Sequence, residues 1–157
     1  MKTKTAIFMM GGPAAGKSTT IASLLVEFEG INVLDCDKIK EEHPEYDPKR
    51  PELIHVWSSN LCHQRFLQTV ANGDNLIYDG TGANAERLVR DIQEAQEAGY
   101  RTMIVYVTCA LETALVRNAA RERSVPEAIV REKYSLISTS FEIVSRYADD
   151  IRVISGE

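Results

Sequence analysis

At 157 residues, with 44% apolar and 26% charged side chains and a formal net charge of −5, the chain has the balance of one globular domain with a full core. The acidic excess and the lack of any like-charge run argue against a wide, sequence-blind nucleic-acid surface, though not against a local basic groove. No apolar run approaches a membrane span, and Met1 to Lys4 leads directly into an apolar strand, so neither membrane insertion nor a signal peptide is expected.

Thr5 to Met10 reads as a buried strand. It runs into Gly11-Gly12-Pro13-Ala14-Ala15-Gly16-Lys17-Ser18, which fits the phosphate-binding loop (Walker A) pattern G-x-x-x-x-G-K-[ST] without a mismatch. Thr19 to Val26 then has helical apolar spacing. Strand, glycine-rich turn and helix form the context this motif requires. Successive backbone N–H groups and the helix N-terminus would hold an anion. Lys17 would reach the β/γ-phosphates and Ser18 would ligate Mg²⁺, with Thr19 beside them. A bound nucleoside triphosphate follows.

Ile31 to Leu34 is a short strand ending at Asp35-Cys36-Asp37, and a turn or two of helix follows from Lys38 to Glu42. Two acids at i and i+2 share a side of an extended segment. One of them capping that helix and the other activating a hydroxyl is the reading taken here, with Asp37 as the base and Asp35 near the substrate. From Pro51 to Val70 a helical period runs through Leu53, Ile54, Trp57, Leu61, Phe66, Leu67 and Val70, stopped by Asn72-Gly73. His55, Cys62 and His63 lie on that helix, but their spacing matches no zinc signature and no second ligand pair accompanies them. His43, beside Pro44, is a candidate acceptor contact, with a plain loop histidine the simpler reading. Trp57 reads as core rather than a stacking platform.

Asn75 to Tyr78 is a buried strand running into Asp79-Gly80-Thr81-Gly82. Asp79 stands where a Walker-B-like acid would, able to share Mg²⁺ with Ser18 or to orient the acceptor with Thr81; the plainer reading is a turn that needs Asp and Gly for geometry. A helix from about Asn84 to Ala98 buries Leu88, Val89, Ile92 and Ala95 and ends at Gly99. Thr102 to Val107 is the clearest strand. Leu111 to Arg123 reads as helix, with Arg117 and Arg121 at i, i+4 and Arg123 just beyond. Two cations on one face repel unless an anion lies between them, and a triphosphate would be that anion; a solvated face paired with Glu112 and Glu122 is the alternative. Pro126 opens a long helix through Ile129, Val130, Tyr134, Ile137, Phe141 and Val144, and Ile151 to Ile154 is the last strand.

Alternating strands and helices predict an α/β fold, a three-layer α/β/α sandwich around a five-stranded parallel sheet, in one domain over 1–157 with a helical lid at about 111–126. Ligands sit beyond the carboxyl ends of such strands, so Gly11, Asp35/Asp37, Asp79 and Thr108 are expected around one cleft. Cys36, Cys62 and Cys109, odd in number and without C-x-x-C spacing, read as reduced thiols of a cytoplasmic protein.

Asp35-Cys36-Asp37-Lys38 through His43-Pro44-Glu45-Tyr46 resembles the D-x-D…K…H-P-x-[FY] segment of zeta toxins, and Asn75 to Gly82 is similar to their N-L-I-x-E-G-T-G stretch. That resemblance implies a P-loop kinase phosphorylating the 3′-hydroxyl of a UDP-linked amino sugar. It implies Asp37 as catalytic base, Asp79 as an acceptor contact, and Arg117 and Arg123 on phosphate, with Arg121 close to either. An antitoxin-like partner is part of the implication. Asp79 stands where the family has glutamate, which shortens its reach. The last third, from Arg117 to Tyr134, is similar to the broader set of small P-loop kinases, including phage-type polynucleotide 5′-kinases. A small-molecule hydroxyl acceptor, nucleotide-linked, is therefore the first expectation. A nucleic-acid 5′-hydroxyl or modified nucleoside is the second, and an NTP-binding module without phosphotransfer is the reading from another class.

Overall fold

At the centre of the sheet β1 (Thr5–Met10) is buried almost end to end, and its alternate residues face two separate cores. Ala6, Phe8 and Met10 point to one side, Ile7 and Met9 to the other. A strand covered on both faces needs a continuous apolar run, which Ala6 to Met10 supplies. The structure, a computed structural model, describes residues 3–122 and 124–157, with side chains for all of these except 51 and 52.

Around β1 lie β2 (Asn32–Asp35), β3 (Leu76–Asp79), β4 (Arg101–Thr108) and β5 (Asp150–Ser155) in the order β2-β3-β1-β4-β5, every pairing parallel. The helices are α1 (Lys17–Glu27), α2 (Cys36–Lys40), α3 (His55–Asn72), α4 (Ala85–Glu97), α5 (Leu111–Ala119) and α6 (Glu127–Val144). Phe66 and Val70 of α3, Leu88, Ile92 and Ala95 of α4, and Ile137 and Val144 of α6 fill one core; Leu24 of α1 packs into the other with Ile77, Val105 and Val107. Helices therefore cover both faces of a five-stranded parallel sheet, as the alternation of segments predicted. The chain runs from β1 outward to β2, returns to β3, then crosses β1 to β4. Loops leaving β1 and its neighbours diverge there, and the divergence opens a crevice at the strand ends. Among the described residues no helix is long and apolar enough to cross a membrane.

Several expectations about helix faces change. A 3₁₀ turn, Pro51–Ile54, precedes α3, whose buried stripe is Ser58, Cys62, Phe66 and Val70. Leu53, Trp57 and Leu67 lie on the outer side, because the small Ser58 and Cys62 let α3 approach its neighbours closely. Trp57 packs edge-on against His43, ring centroids 4.7 Å apart, and is not core. Ile129 is likewise exposed at the start of α6.

The cysteines are a second correction. Cys36 and Cys62 form a disulfide, with Cα atoms 5.6 Å apart, and Cys109 is the free thiol. Their 26-residue separation carries no motif. What brings them together is α2 packing across α3, a tertiary event that spacing does not encode.

Candidate active site

The loop from Gly11 to Ser18 turns out of β1 and into α1 through two left-handed residues, Gly16 at φ 104° and Ala14 at φ 61°. Ala14 is the one non-glycine residue with positive φ among those described, and such backbone is held only where the surroundings impose it. No side chain caps α1, so the N–H groups of its first turn remain directed at the loop. Gly12 to Ser18 line a cleft of about 600 Å³ together with Asp35, Asp37, Asp79, Thr81, Arg117, Arg121 and Val125. Thr19 is exposed on the first turn of α1 and Gly11 is buried behind the loop, its N–H donating to the Thr81 carbonyl at 3.1 Å. Thr108 closes β4 by accepting from the N–H of Gly156.

The two acids of the Asp35-Cys36-Asp37 segment have separate environments. Asp35 Oδ1 accepts from the N–H of Asp37 at 2.9 Å and of Lys38 at 3.2 Å, which makes Asp35 the N-cap of α2. Asp37 projects into the cleft from the first turn of α2. Asp35 also pairs in register with Asp79 across β2 and β3, so both carboxylates sit at one level of the sheet edge.

Asp79 is four-fifths buried, with Lys17 Nζ 3.6 Å from its Oδ1. Burial pushes its pKa up; Lys17 pulls it down, and Asp35 and Asp37 push it further up. That Oδ1 accepts no hydrogen bond among the described residues. Lys17 Nζ instead donates to the Gly80 carbonyl at 3.2 Å. The lysine thus rests on the end of β3, beside an acid with unused lone pairs. An unsatisfied carboxylate oxygen and the exposed Ser18 hydroxyl, lining one cleft, are fitting donor types for Mg²⁺.

Arg117 extends from α5 to the loop, its Nη1 donating to the Ala14 carbonyl at 3.3 Å. Arg121 does not share its helix. α5 ends at Ala119, and Arg121 lies in the turn beyond, still lining the cleft. The cause is Asn118, buried and bonded through its amide to both the N–H and the carbonyl of Val125 at 2.9 and 2.6 Å. Those two bonds draw the chain into a closed turn where the sequence suggested continued helix. Arg123 lies outside the described residues. His43 accepts from the N–H of Glu45, stands against Trp57 and is not among the residues that line the cleft. Near Asp37, His55 opens α3; burial and then the charges of Lys40, Arg87 and Lys133 hold its pKa down.

Two supports of the loop carry no sequence signal. Tyr134 of α6 lies against Gly12 and donates to the Pro13 carbonyl at 3.0 Å, and burial pushes its pKa up to about 12, which keeps that proton in place. Gly156, just past β5, packs so closely on Ala15 that an added Cβ would overlap the Ala15 carbonyl. Both come from elements far along the chain; Tyr134 ends the stretch that resembles small P-loop kinases, though nothing there marks it as a partner of the loop, and Gly156 belongs to no motif.

The profile of the family described as zeta toxin matches residues 1–155. No curated protein sequence matches the chain. Among solved structures, one from the PezAT chromosomal toxin–antitoxin system of Streptococcus pneumoniae is similar with TM-score 0.84 and 19% identity, over 98% of this chain and 69% of that one. The AvrRxo1-ORF1:-ORF2 structure with ATP is similar with TM-score 0.68 and 19% identity, over 92% of this chain and 51% of that one, so the chain spans about half its length. Deoxyadenosine kinase from M. mycoides, with products dCMP and dCDP bound, is similar with TM-score 0.62 and 17% identity, over 96% and 90% of the two chains. At these identities the likeness is one of fold.

Proposed function

Because the chain belongs to the zeta toxin family of P-loop kinases, we propose that it is an ATP- and Mg²⁺-dependent kinase that transfers the γ-phosphoryl group to a hydroxyl of a nucleotide-linked small molecule. The observation that carries this reading is a carboxylate free of capping duty, Asp37, facing the same cleft as the phosphate loop. A module that only bound a nucleotide would have no use for a base there.

The loop N–H groups and the first turn of α1 bind the donor phosphates. Lys17 leaves the Gly80 carbonyl and Asp79 for the β/γ-phosphates, a move of one flexible side chain. Asp37 takes the proton of the acceptor hydroxyl as that oxygen attacks the γ-phosphorus; the bond from γ-phosphorus to the bridging oxygen breaks and ADP departs. Arg117, from α5, and Arg121, from the turn that Asn118 closes, offset the charge gathering on the moving phosphoryl group. Ser18 and Asp79 would hold Mg²⁺, which would supply positive charge against the phosphates. Residues 111–126 act as the lid. The positive field of Lys40, Arg87 and Lys133 at His55, which Asp37 also faces electrostatically, supports an acceptor that itself carries phosphate. Similarity to a structure from a toxin–antitoxin system supports an antitoxin-like protein partner.

The test is ATP consumption with Mg²⁺ against UDP-sugars, nucleosides, 5′-hydroxyl oligonucleotides and no acceptor. Acceptor-stimulated turnover is expected with a UDP-sugar, lost in Lys17→Ala and in Asp37→Asn, the latter with nucleotide affinity intact. Stimulation by the oligonucleotide alone would move the acceptor to nucleic acid. Undiminished turnover in Asp37→Asn would remove the proposed base.

A further inference from the structure

Away from the cleft, three more chemistry-bearing side chains meet between α3 and α4. His63 follows the bonded Cys62 on α3. Asp91 and Glu94 stand three residues apart on one face of α4. One ligand atom of each lies within 4.8 Å of the other two, and His63 Nδ1 is 3.5 Å from Asp91 Oδ1. Asp91 is only 2% exposed, on a helix otherwise buried through Leu88, Ile92 and Ala95.

His63 Nδ1, Asp91 Oδ1 and Glu94 Oε2 are all buried atoms without a hydrogen-bond partner among the described residues. Buried polar atoms are rarely left so, and three together are costly unless something joins them. Arg90 Nη2 stands 3.5 Å from the same Asp91 oxygen, but its side chain is half exposed and makes no hydrogen bond to it. It balances charge and satisfies no lone pair. The imidazole nitrogen and the two carboxylate oxygens converge with no hydrogen bond to satisfy them among the described residues.

We propose that His63, Asp91 and Glu94 are a binding site for a divalent transition-metal ion, with zinc the best fit, three protein ligands and a fourth position for water. Bond lengths of about 2.0–2.2 Å at a tetrahedral ion put ligand atoms roughly 3.3–3.5 Å apart. The His63–Asp91 separation of 3.5 Å already meets that spacing. Glu94 closes the remaining distance by turning its side chain. An imidazole among the donors favours zinc and its neighbours over Mg²⁺ and Ca²⁺, so this ion does not compete for the phosphate cleft. His63 lacked a second ligand pair when its own helix was read alone. That pair comes from α4, where Asp91 looks like an ordinary polar-face residue. Its ring also stacks on Phe66, centroids 6.2 Å apart, which limits its rotation. The ion would join α3 to α4 beside the bond that joins α3 to α2.

The test uses metal-stripped protein with Cys109→Ser, to remove the free thiol, titrated calorimetrically with Zn²⁺ in excess Mg²⁺. One zinc per chain is expected, with a rise in melting temperature. His63→Gln and Glu94→Gln, both at partly exposed positions, should each weaken zinc at least about tenfold, the scale on which even outer partners of a metal act. Their melting temperatures without zinc should stay near the parent's, and the zinc-induced rise should vanish. Co²⁺ in the parent should give tetrahedral absorption bands, absent in both variants. Failure to bind zinc, or binding by both variants as tight as the parent's, would overturn the site.

Discussion

The ring of Tyr134 occupies the space that a side chain at Gly12 would need, and its hydroxyl donates to the carbonyl of the next residue, Pro13, at 3.0 Å. The phosphate loop is thus braced from α6 as well as from its own flanking elements. Gly12→Ala should push loop and ring apart and weaken ATP binding by at least about tenfold, equivalent to about 1.4 kcal/mol. Tyr134→Ala added to Gly12→Ala should restore part of that affinity. Tyr134→Phe, which keeps the ring, should cost only about 1 kcal/mol of stability. Calorimetric ATP titration and thermal melting of the four proteins check the set.

Asp35 and Asp37 should separate stability from activity. Asp35→Ala removes the cap of α2 and should cost about 1 kcal/mol in a denaturant titration. Asp37→Asn should leave the denaturation midpoint unchanged and abolish acceptor-dependent turnover. The opposite assignment would show Asp37→Asn active and Asp35→Asn dead.

Asp79 should be a residue whose replacement stabilises the protein. Its pKa is raised by burial, so the folded state binds its proton more tightly than the unfolded chain does. That favours folding below the unfolded carboxylate pKa and is lost as pH rises through the raised folded value. At pH 7 the charged form is a cost, and Asp79→Asn should raise the melting temperature by about 2–4 °C, the response of a domain this size to about 1 kcal/mol. The advantage should shrink as pH falls through the raised pKa, while turnover stays lost. A lower melting temperature at pH 7 would mean that the ion pair with Lys17 outweighs the burial.

Reducing the Cys36–Cys62 disulfide should destabilise the fold. Releasing a cross-link across 26 residues returns entropy to the unfolded chain worth about 3 kcal/mol. Unfolding free energies from urea titrations with and without a dithiol reductant should differ by that amount in the parent and coincide in Cys36→Ser/Cys62→Ser.

What could be read from sequence was what short stretches of backbone demand. The phosphate loop announces itself because its turn needs glycines at fixed offsets, and the strands do so because β1, β3 and β4 each carry a continuous apolar run, Ala6 to Met10, Leu76 to Tyr78 and Met103 to Val107. The acids at the ends of β2 and β3 were visible because strand ends mark the crevice of a parallel sheet. Features set by packing between distant elements were not visible. The inner face of α3 depends on how closely Ser58 and Cys62 let it approach. The end of α5 depends on Asn118 reaching Val125, and the seat of the phosphate loop depends on Tyr134 and Gly156. The disulfide belongs with these, since nothing local marks Cys36 for Cys62.

The contact of Gly156 with Ala15 bears on how the protein is made. β1 leaves the ribosome before its sheet neighbours, with β3 and β4 following much later and β5 later still. The phosphate loop therefore waits, half supported, until Gly156 follows β5 into place and supplies a further wall. Competence to hold a nucleotide should arrive abruptly once Gly156 is in place, so a chain stalled before β5 would carry the motif without the grip.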